Sequence, residues 1–220
     1  MASANSSPAT TTVTLQPAWD YLVADSRTGG PAFQWIDARS GTRYELGDDS
    51  GRMITLAGGQ QFSFYGQAYN QFYLSSNGFL TFNGPFTRFQ GVIPFEAEPN
   101  NAIYGYGEDL NPGARLVYGT PYDNGVYVLQ DGQRAVVQYN EVEHWARGNP
   151  ETFQIILDLA TNAITLQYQT VSWPDFTTVG LENGDGSRGL PTSYANSANL
   201  TSGLAFTYTP VFGQAGSVCR

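Results

Sequence analysis

Short runs of alternating apolar and polar residues, each closed by a turn bearing glycine, asparagine or proline, constrain this chain more than any other feature. Gln61-Phe62-Ser63-Phe64-Tyr65 ends at Gly66, and Phe72-Tyr73-Leu74-Ser75-Ser76 leads into Asn77-Gly78. Phe79-Leu80-Thr81-Phe82 resumes beyond that dipeptide and ends at Asn83-Gly84-Pro85. Asn-Gly between two such runs is the strongest short-range hairpin signal, so residues 72–82 are predicted to form one. A second hairpin is predicted where Thr152 to Leu159 and Ala163 to Gln169 flank Ala160-Thr161-Asn162. There Phe153, Ile155 and Leu157 face one side and Gln154 and Asp158 the other, as the period of two requires. Further strands are expected at Leu116 to Tyr118, Gly125 to Leu129, Arg134 to Tyr139 continuing to Val142, Thr177 to Leu181 and Leu204 to Tyr208. Phe33 with Trp35, and Arg39 to Leu46, allow two short strands between turn clusters at 25–30 and 47–51.

Roughly ten strands spaced about 8–14 residues apart predict an all-β fold, an antiparallel β-sandwich of jelly-roll-like kind with very little helix. Charged residues are only 13% of the chain, too few for amphipathic helices with a charged outer face. The expected core is Phe62, Phe64, Leu74, Phe79, Val137, Phe153, Ile155, Leu157, Ile164, Leu166 and Val179. Residues 83–113, rich in Pro and Asn, read as a long loop. The chain divides into a polar tail at 1–16, one sandwich domain over 17–210 and a tail or linker at 211–220. Within the first, Thr10 to Leu15 has the β propensity to add as an edge strand, to its own sheet or to another copy.

Nineteen acids against ten basic residues, all Arg, set the net charge at -9. That disfavours a nucleic-acid partner, which needs a basic footprint, and an anionic membrane surface. No apolar run approaches the roughly 20 residues of a membrane helix, so membrane insertion is not expected. No signal-peptide core is visible near the start. The sole cysteine, Cys219, allows no intrachain disulfide.

The ordered segments resemble nidogen-like (NIDO-type) extracellular modules. Phe62-Ser63-Phe64-Tyr65-Gly66 followed by Ser75-Ser76-Asn77-Gly78-Phe79-Leu80-Thr81-Phe82 is similar to their opening. Asn100-Asn101-Ala102-Ile103 through Glu108-Asp109-Leu110-Asn111-Pro112 is similar to their next signature. Val136 to Val142 with Thr152 to Leu157, and Val179 to Gly186 with Gly203 to Phe206, resemble the strands that follow. The chain looks most like the bacterial version, a β-sandwich appended to secreted subtilisin-like proteases and other surface proteins. One departure is Gly107, which stands where an aromatic, often Trp, usually precedes the acidic pair. The resemblance implies an extracellular or cell-surface accessory module without chemistry of its own.

Candidate chemistry is sparse. His144 is the only histidine. It has no nucleophile motif beside it and reads as a surface or interface residue rather than a base. With one His and one terminal Cys, zinc lacks ligands. Calcium takes hard oxygens from flexible loops, which Asp48-Asp49 and Glu108-Asp109 could supply. The competing reading makes these acids turn formers, with Asp109 pinning the long loop by accepting backbone N–H bonds. Exposed aromatics are expected at Trp145 and in the loop Trp173-Pro174-Asp175-Phe176, making Trp145, Trp173, Asp175 and Phe176 the candidate ligand-binding residues. Gln71, Gln138, Gln154, Gln167 and Gln169 form an uncharged polar face suited to packing against another copy or another domain. The favoured function is a non-catalytic interaction or adhesion module docking to a protein, or to its own copies through sheet edges. The alternative is a carbohydrate-binding module that takes a glycan. A hydrolase using a carboxylate pair, such as Glu96 with Glu98, Glu141 with Glu143 or Glu182 with Asp185, ranks third.

Overall fold

The computed structural model describes residues 19–89, 91–114, 123–193 and 200–212. Expectations for 1–16, Thr10 to Leu15, Leu116 to Tyr118 and Cys219 lie outside these residues. In chain order the strands are β1 (Trp19–Asp25), β2 (Thr42–Tyr44), β3 (Gly51–Thr55), β4 (Phe62–Phe64), β5 (Gln67–Tyr69), β6 (Gln71–Ser75), β7 (Phe79–Thr81) and β8 (Ala102–Gly107). They continue as β9 (Leu110–Asn111), β10 (Gly125–Gln130), β11 (Arg134–His144), β12 (Gly148–Asp158), β13 (Ile164–Thr170), β14 (Thr178–Glu182), β15 (Gly189–Ser193) and β16 (Leu204–Phe212). Helix is confined, among the described residues, to 3-10 turns at Ala38–Ser40 and Ala57–Gly59.

The strands form an all-antiparallel sandwich. One sheet runs β1-β16-β13-β12-β11-β10-β2 with β9 on β11, the other β15-β14-β8-β7-β6-β3, and β4-β5 is a separate ribbon. Every residue of the expected core is buried. Phe79 belongs to a smaller cluster with Ile93, Ala102 and Tyr104 rather than to the main core. Two tyrosines bind the sheets together through polar contacts: Tyr139 Oη donates to the Ser75 carbonyl at 2.6 Å and Tyr168 Oη to that of Gly105 at 2.6 Å. Both hairpins form as expected, with Leu74 opposite Leu80 and Leu157 opposite Ile164. The final strand extends two residues past the expected domain end, pairing Val211 with Asp20 and Phe212 with Trp19.

The reading of 83–113 as loop is corrected by β8, a fully buried strand between β14 and β7. Its glycines, which suggest a loop, are demanded by packing. A Cβ on Gly105 would lie 2.6 Å from Ile155 Cγ1, and one on Gly107 would lie 2.8 Å from the Tyr104 ring. Gly107 therefore makes room for Tyr104.

Phe33 and Trp35 also depart from expectation, since they lie in no strand. β1 and β2 stand at opposite edges of the larger sheet, so the chain between them must cross its outer face. A crossing segment cannot enter the ladder, and its peptide groups need other partners. Gln167, Gln154 and Gln138 supply them from directly opposed positions on β13, β12 and β11. Gln167 Oε1 accepts from Gln34 N at 2.6 Å while its Nε2 donates to Gln34 O at 2.7 Å. Gln154 makes the same exchange with Ile36, and Gln138 Oε1 accepts from Ala38 N at 2.9 Å. Two extended residues advance about 6.6 Å against a strand spacing of about 4.8 Å, so this strap runs obliquely and meets one strand every second residue. The uncharged glutamine face is thus covered by the chain's own strap. Gln71 and Gln169 stand apart from that row; Gln71 donates to Tyr73 Oη.

Candidate functional site

The end of the sandwich where β8 leaves the core gathers most of the candidate residues. β9 aligns Leu110 with His144 and Asn111 with Glu143, and Leu110 N donates to the buried Asn77 Oδ1 at 2.9 Å. Glu108 is thereby brought beside the end of β11. Beyond His144 the chain turns through Trp145, Ala146 and Arg147 and returns as β12, with His144 opposite Gly148.

His144 is the hub of this end, and where a surface or interface histidine was expected the ring is buried within the chain's own fold, 2% exposed. Its Nδ1 lies 2.6 Å from Glu108 Oε2 and its Nε2 2.9 Å from Glu151 Oε1. Burial opposes charge on the imidazole, but the hydrogen bonds and negative charges of Glu108 and Glu151 overcome it and lift the pKa to about 9. At neutral pH the ring is therefore an imidazolium donating from both nitrogens. Glu151 is fully buried and also accepts from Ser172 N, Ser172 Oγ and Trp173 N, at 2.8 to 2.9 Å in the closest pairs. One charged cluster thus ties β8, the β11–β12 hairpin and the loop after β13 together.

Aromatic side chains complete it. The Tyr106 ring meets His144 edge-on at 5.7 Å, and Trp173 lies 5.4 Å from the imidazole. Arg147 sits 4.0 Å over the Trp173 ring, and Trp173 Nε1 donates to Asp175 Oδ2 at 3.0 Å. Trp145 is 47% and Phe176 63% exposed. A cleft of about 290 Å³ opens between Glu108, Asp109, His144, Trp145, Ala146 and Arg147. The structure accordingly brings Trp145, Trp173, Asp175 and Glu108 into one connected group, with Phe176 on the same loop as Asp175. Sequence reading missed Arg147, Glu151, Ser172 and Tyr106; the one available signal was an acid, Glu151, just ahead of the apolar run of β12.

The four acids considered for calcium are neighbours. Burial raises the Asp109 pKa first, and repulsion from Asp48, Glu108 and Asp49 adds to it. Asp49 accepts from Asn77 Nδ2 at 2.8 Å. Among the described residues no group of three or more His, Cys, Asp and Glu side chains is disposed to hold a metal ion. The Asp109 carboxylate accepts no hydrogen bond among the described residues, so it does not pin the loop; Glu108 does that through His144, and the Asp109 carbonyl accepts from Trp145 N at 2.8 Å.

In this arrangement both ring nitrogens of His144 are committed to carboxylates. A histidine with both nitrogens committed cannot take a proton from a substrate at neutral pH. Glu151, fully buried, cannot reach a substrate as one half of a carboxylate pair. No helix among the described residues is long and apolar enough to cross a membrane.

The chain belongs to the NIDO-related family, whose model matches residues 5–218. No curated protein and no solved structure matches the chain. Membership points to an extracellular module of a family that is generally non-catalytic.

Proposed function

We propose that this domain is a non-catalytic extracellular interaction module that docks a protein partner through its Trp145–Trp173–Phe176 end. The observation that carries this reading is the buried His144 ring, bonded at both nitrogens to Glu108 and Glu151 and packed 5.4 Å from Trp173, directly before the exposed Trp145 in the chain. Rigid aromatic anchors on a fixed frame are the usual centres of binding energy in protein interfaces. A frame held by buried charged bonds loses little conformational entropy when a partner lands on it. Trp145 and Phe176 are the anchors, and Arg147, spread on Trp173, offers a cationic rim. The likeness to bacterial modules appended to larger secreted proteins supports a place within a surface assembly.

The test is a pull-down from the cell envelope beside a glycan array, with the wild-type domain and with Trp145→Ala combined with Phe176→Ala. A protein retained by the wild type and lost by the double variant, both folded, supports docking. A glycan lost in the same way favours the carbohydrate reading, and a partner retained by both places the interface elsewhere.

A further inference from the structure

A cleft of about 420 Å³ lies at the flank of the strap. Its volume falls in the range of roughly 300–1,000 Å³ found for small-ligand sites. One wall is the strap, through Trp35, Asp37 and Arg39; the other is β11 to β13, through Asn140, Glu141, Thr152 and Gln169. The frame is already bonded. Arg39 pairs with Asp37 and with Asp123 at 2.5 to 2.8 Å, Gln138 Nε2 donates to Asn140 Oδ1, and Asn140 Nδ2 donates to Asp123 O. The bulge between Tyr139 and Val142 turns Glu141 out into the cleft with φ of 48°, its N–H held by Thr152 Oγ1 at 3.0 Å. A positive φ on a glutamate is uncommon backbone, and such residues cluster at binding sites.

Other groups remain open. Among the described residues the Glu141 carboxylate, the Gln169 amide and the Trp35 indole N–H have no hydrogen-bond partner, and the Thr152 hydroxyl keeps its proton to donate. We infer that this cleft is a binding site for a neutral oligosaccharide, with Trp35 as the stacking surface and Glu141, Gln169 and Thr152 reading its hydroxyls. A sugar presents an apolar C–H face ringed by hydroxyls that both donate and accept. An aromatic plane beside an amide, a hydroxyl and a carboxylate matches that set. Acidic sugars and phosphates are disfavoured, because Arg39, the one cation among the described lining residues, is neutralised by two aspartates while Glu141 adds negative charge. An aromatic cage for a cationic ligand needs more than one ring, and Trp35 is the only ring lining the cleft among the described residues.

The experiment titrates the intact chain with neutral tetrasaccharides of β-1,4-glucose, α-1,4-glucose and β-1,4-N-acetylglucosamine, with tetragalacturonate as the acidic control. Indole and side-chain amide resonances provide the readout. At least one neutral sugar is expected to shift the Trp35 indole and Gln169 amide signals saturably. Gln169→Ala, at an exposed position outside the glutamine row, should weaken it about threefold or more with unchanged melting. Trp35→Ala should weaken it at least about tenfold, and Trp145→Ala should leave it intact. No saturable shift with any neutral sugar would overturn the inference. So would equal binding of tetragalacturonate, or binding abolished by Trp145→Ala and untouched by Trp35→Ala. Since Trp145 and Trp35 belong to different sites, failure here leaves the docking proposal standing, and the reverse.

Discussion

The glutamine row under the strap and the His144 cluster are both buried polar networks, and they solve opposite problems. The row meets a backbone. Each side-chain amide offers one donor and one acceptor, the same pair that a peptide group needs, so it holds the strap without regard to the strap's side chains. Those side chains are thereby released to line the clefts on either flank, Trp35 and Asp37 on one and Gln34 and Ile36 on the other. The His144 cluster meets side chains and hairpin ends, and it uses charge. Losing a member of the neutral row leaves dipoles unpaired, whereas losing a member of the charged cluster leaves a charge uncompensated, which costs more. The lesson is that the strap is a tolerant fastening and the cluster a brittle one.

The sharpest break of that contrast is Glu151→Ala against Gln154→Ala in denaturant unfolding. Glu151→Ala strands a buried imidazolium together with the donors of Ser172 and Trp173, and should cost about 3–5 kcal/mol. Gln154→Ala leaves the Ile36 peptide groups at the edge of solvent and should cost about 1–3 kcal/mol. Equal losses would erase the distinction.

Acidity should separate the two networks next. His144 is raised from 6.5 to about 9 in the folded protein. Its contribution is therefore complete below pH 6.5 and is lost as pH rises through 9. Glu182 sits fully buried at the end of β14, with Oε1 accepting from Phe95 N and Oε2 unpartnered. Burial, with repulsion from Glu98, raises it from 4.5 to about 7 despite the Phe95 bond. Across both windows the folded state holds more protons than the unfolded one, so stability falls as pH rises. Unfolding free energies measured from pH 5 to 9 should decline in two stages. Glu182→Gln should remove the lower one, while Gln154→Ala should shift the whole profile and leave its slope. A profile that climbs towards pH 9 would contradict both assignments.

Trp145→Ala sharpens the comparison from outside, since it removes what the cluster supports and not the cluster itself. Thermal unfolding should move by no more than about 0.5 kcal/mol, the ordinary range for surface substitutions, whereas partner capture should fall. A large stability loss would make Trp145 part of the cluster.

The smallest effect is expected at Asp109, which burial and three neighbouring acids disfavour as a carboxylate. Asp109→Asn should raise stability slightly in chelator, by a few tenths of a kcal/mol, as expected of a partly exposed charge. The same pair of melts in millimolar calcium tests the ion directly. A wild type that gains on calcium addition more than the variant does would assign the acids to an ion; parallel behaviour would leave them as repelling neighbours.

Much of the fold was readable because local chemistry and tertiary outcome agree. Period-two patterning placed Phe62, Phe64, Phe153, Ile155 and Leu157 inside, and Asn77-Gly78 announced its hairpin, since turn geometry and strand alternation are set by neighbours in the chain. The exposed Trp145 and Phe176 were readable for the same reason: neither fits an inward strand position.

What the tertiary structure decided has a common cause, namely that the partner is remote in sequence. β8 looked like loop until Ile155 and Tyr104 showed why two glycines must stand there. Gln138, Gln154 and Gln167 looked like an open polar face, and nothing local reveals that a segment some 100 residues earlier would lie on them. His144 looked like a surface residue, because a histidine's charge depends on Glu108 and Glu151, which reach it only when three separate segments converge. Composition and periodicity therefore determined which residues turn inward. Only the folded chain determined which buried polar groups found one another, because hydrogen bonds and charge pairs act over a few ångströms of space and not over distance along the sequence.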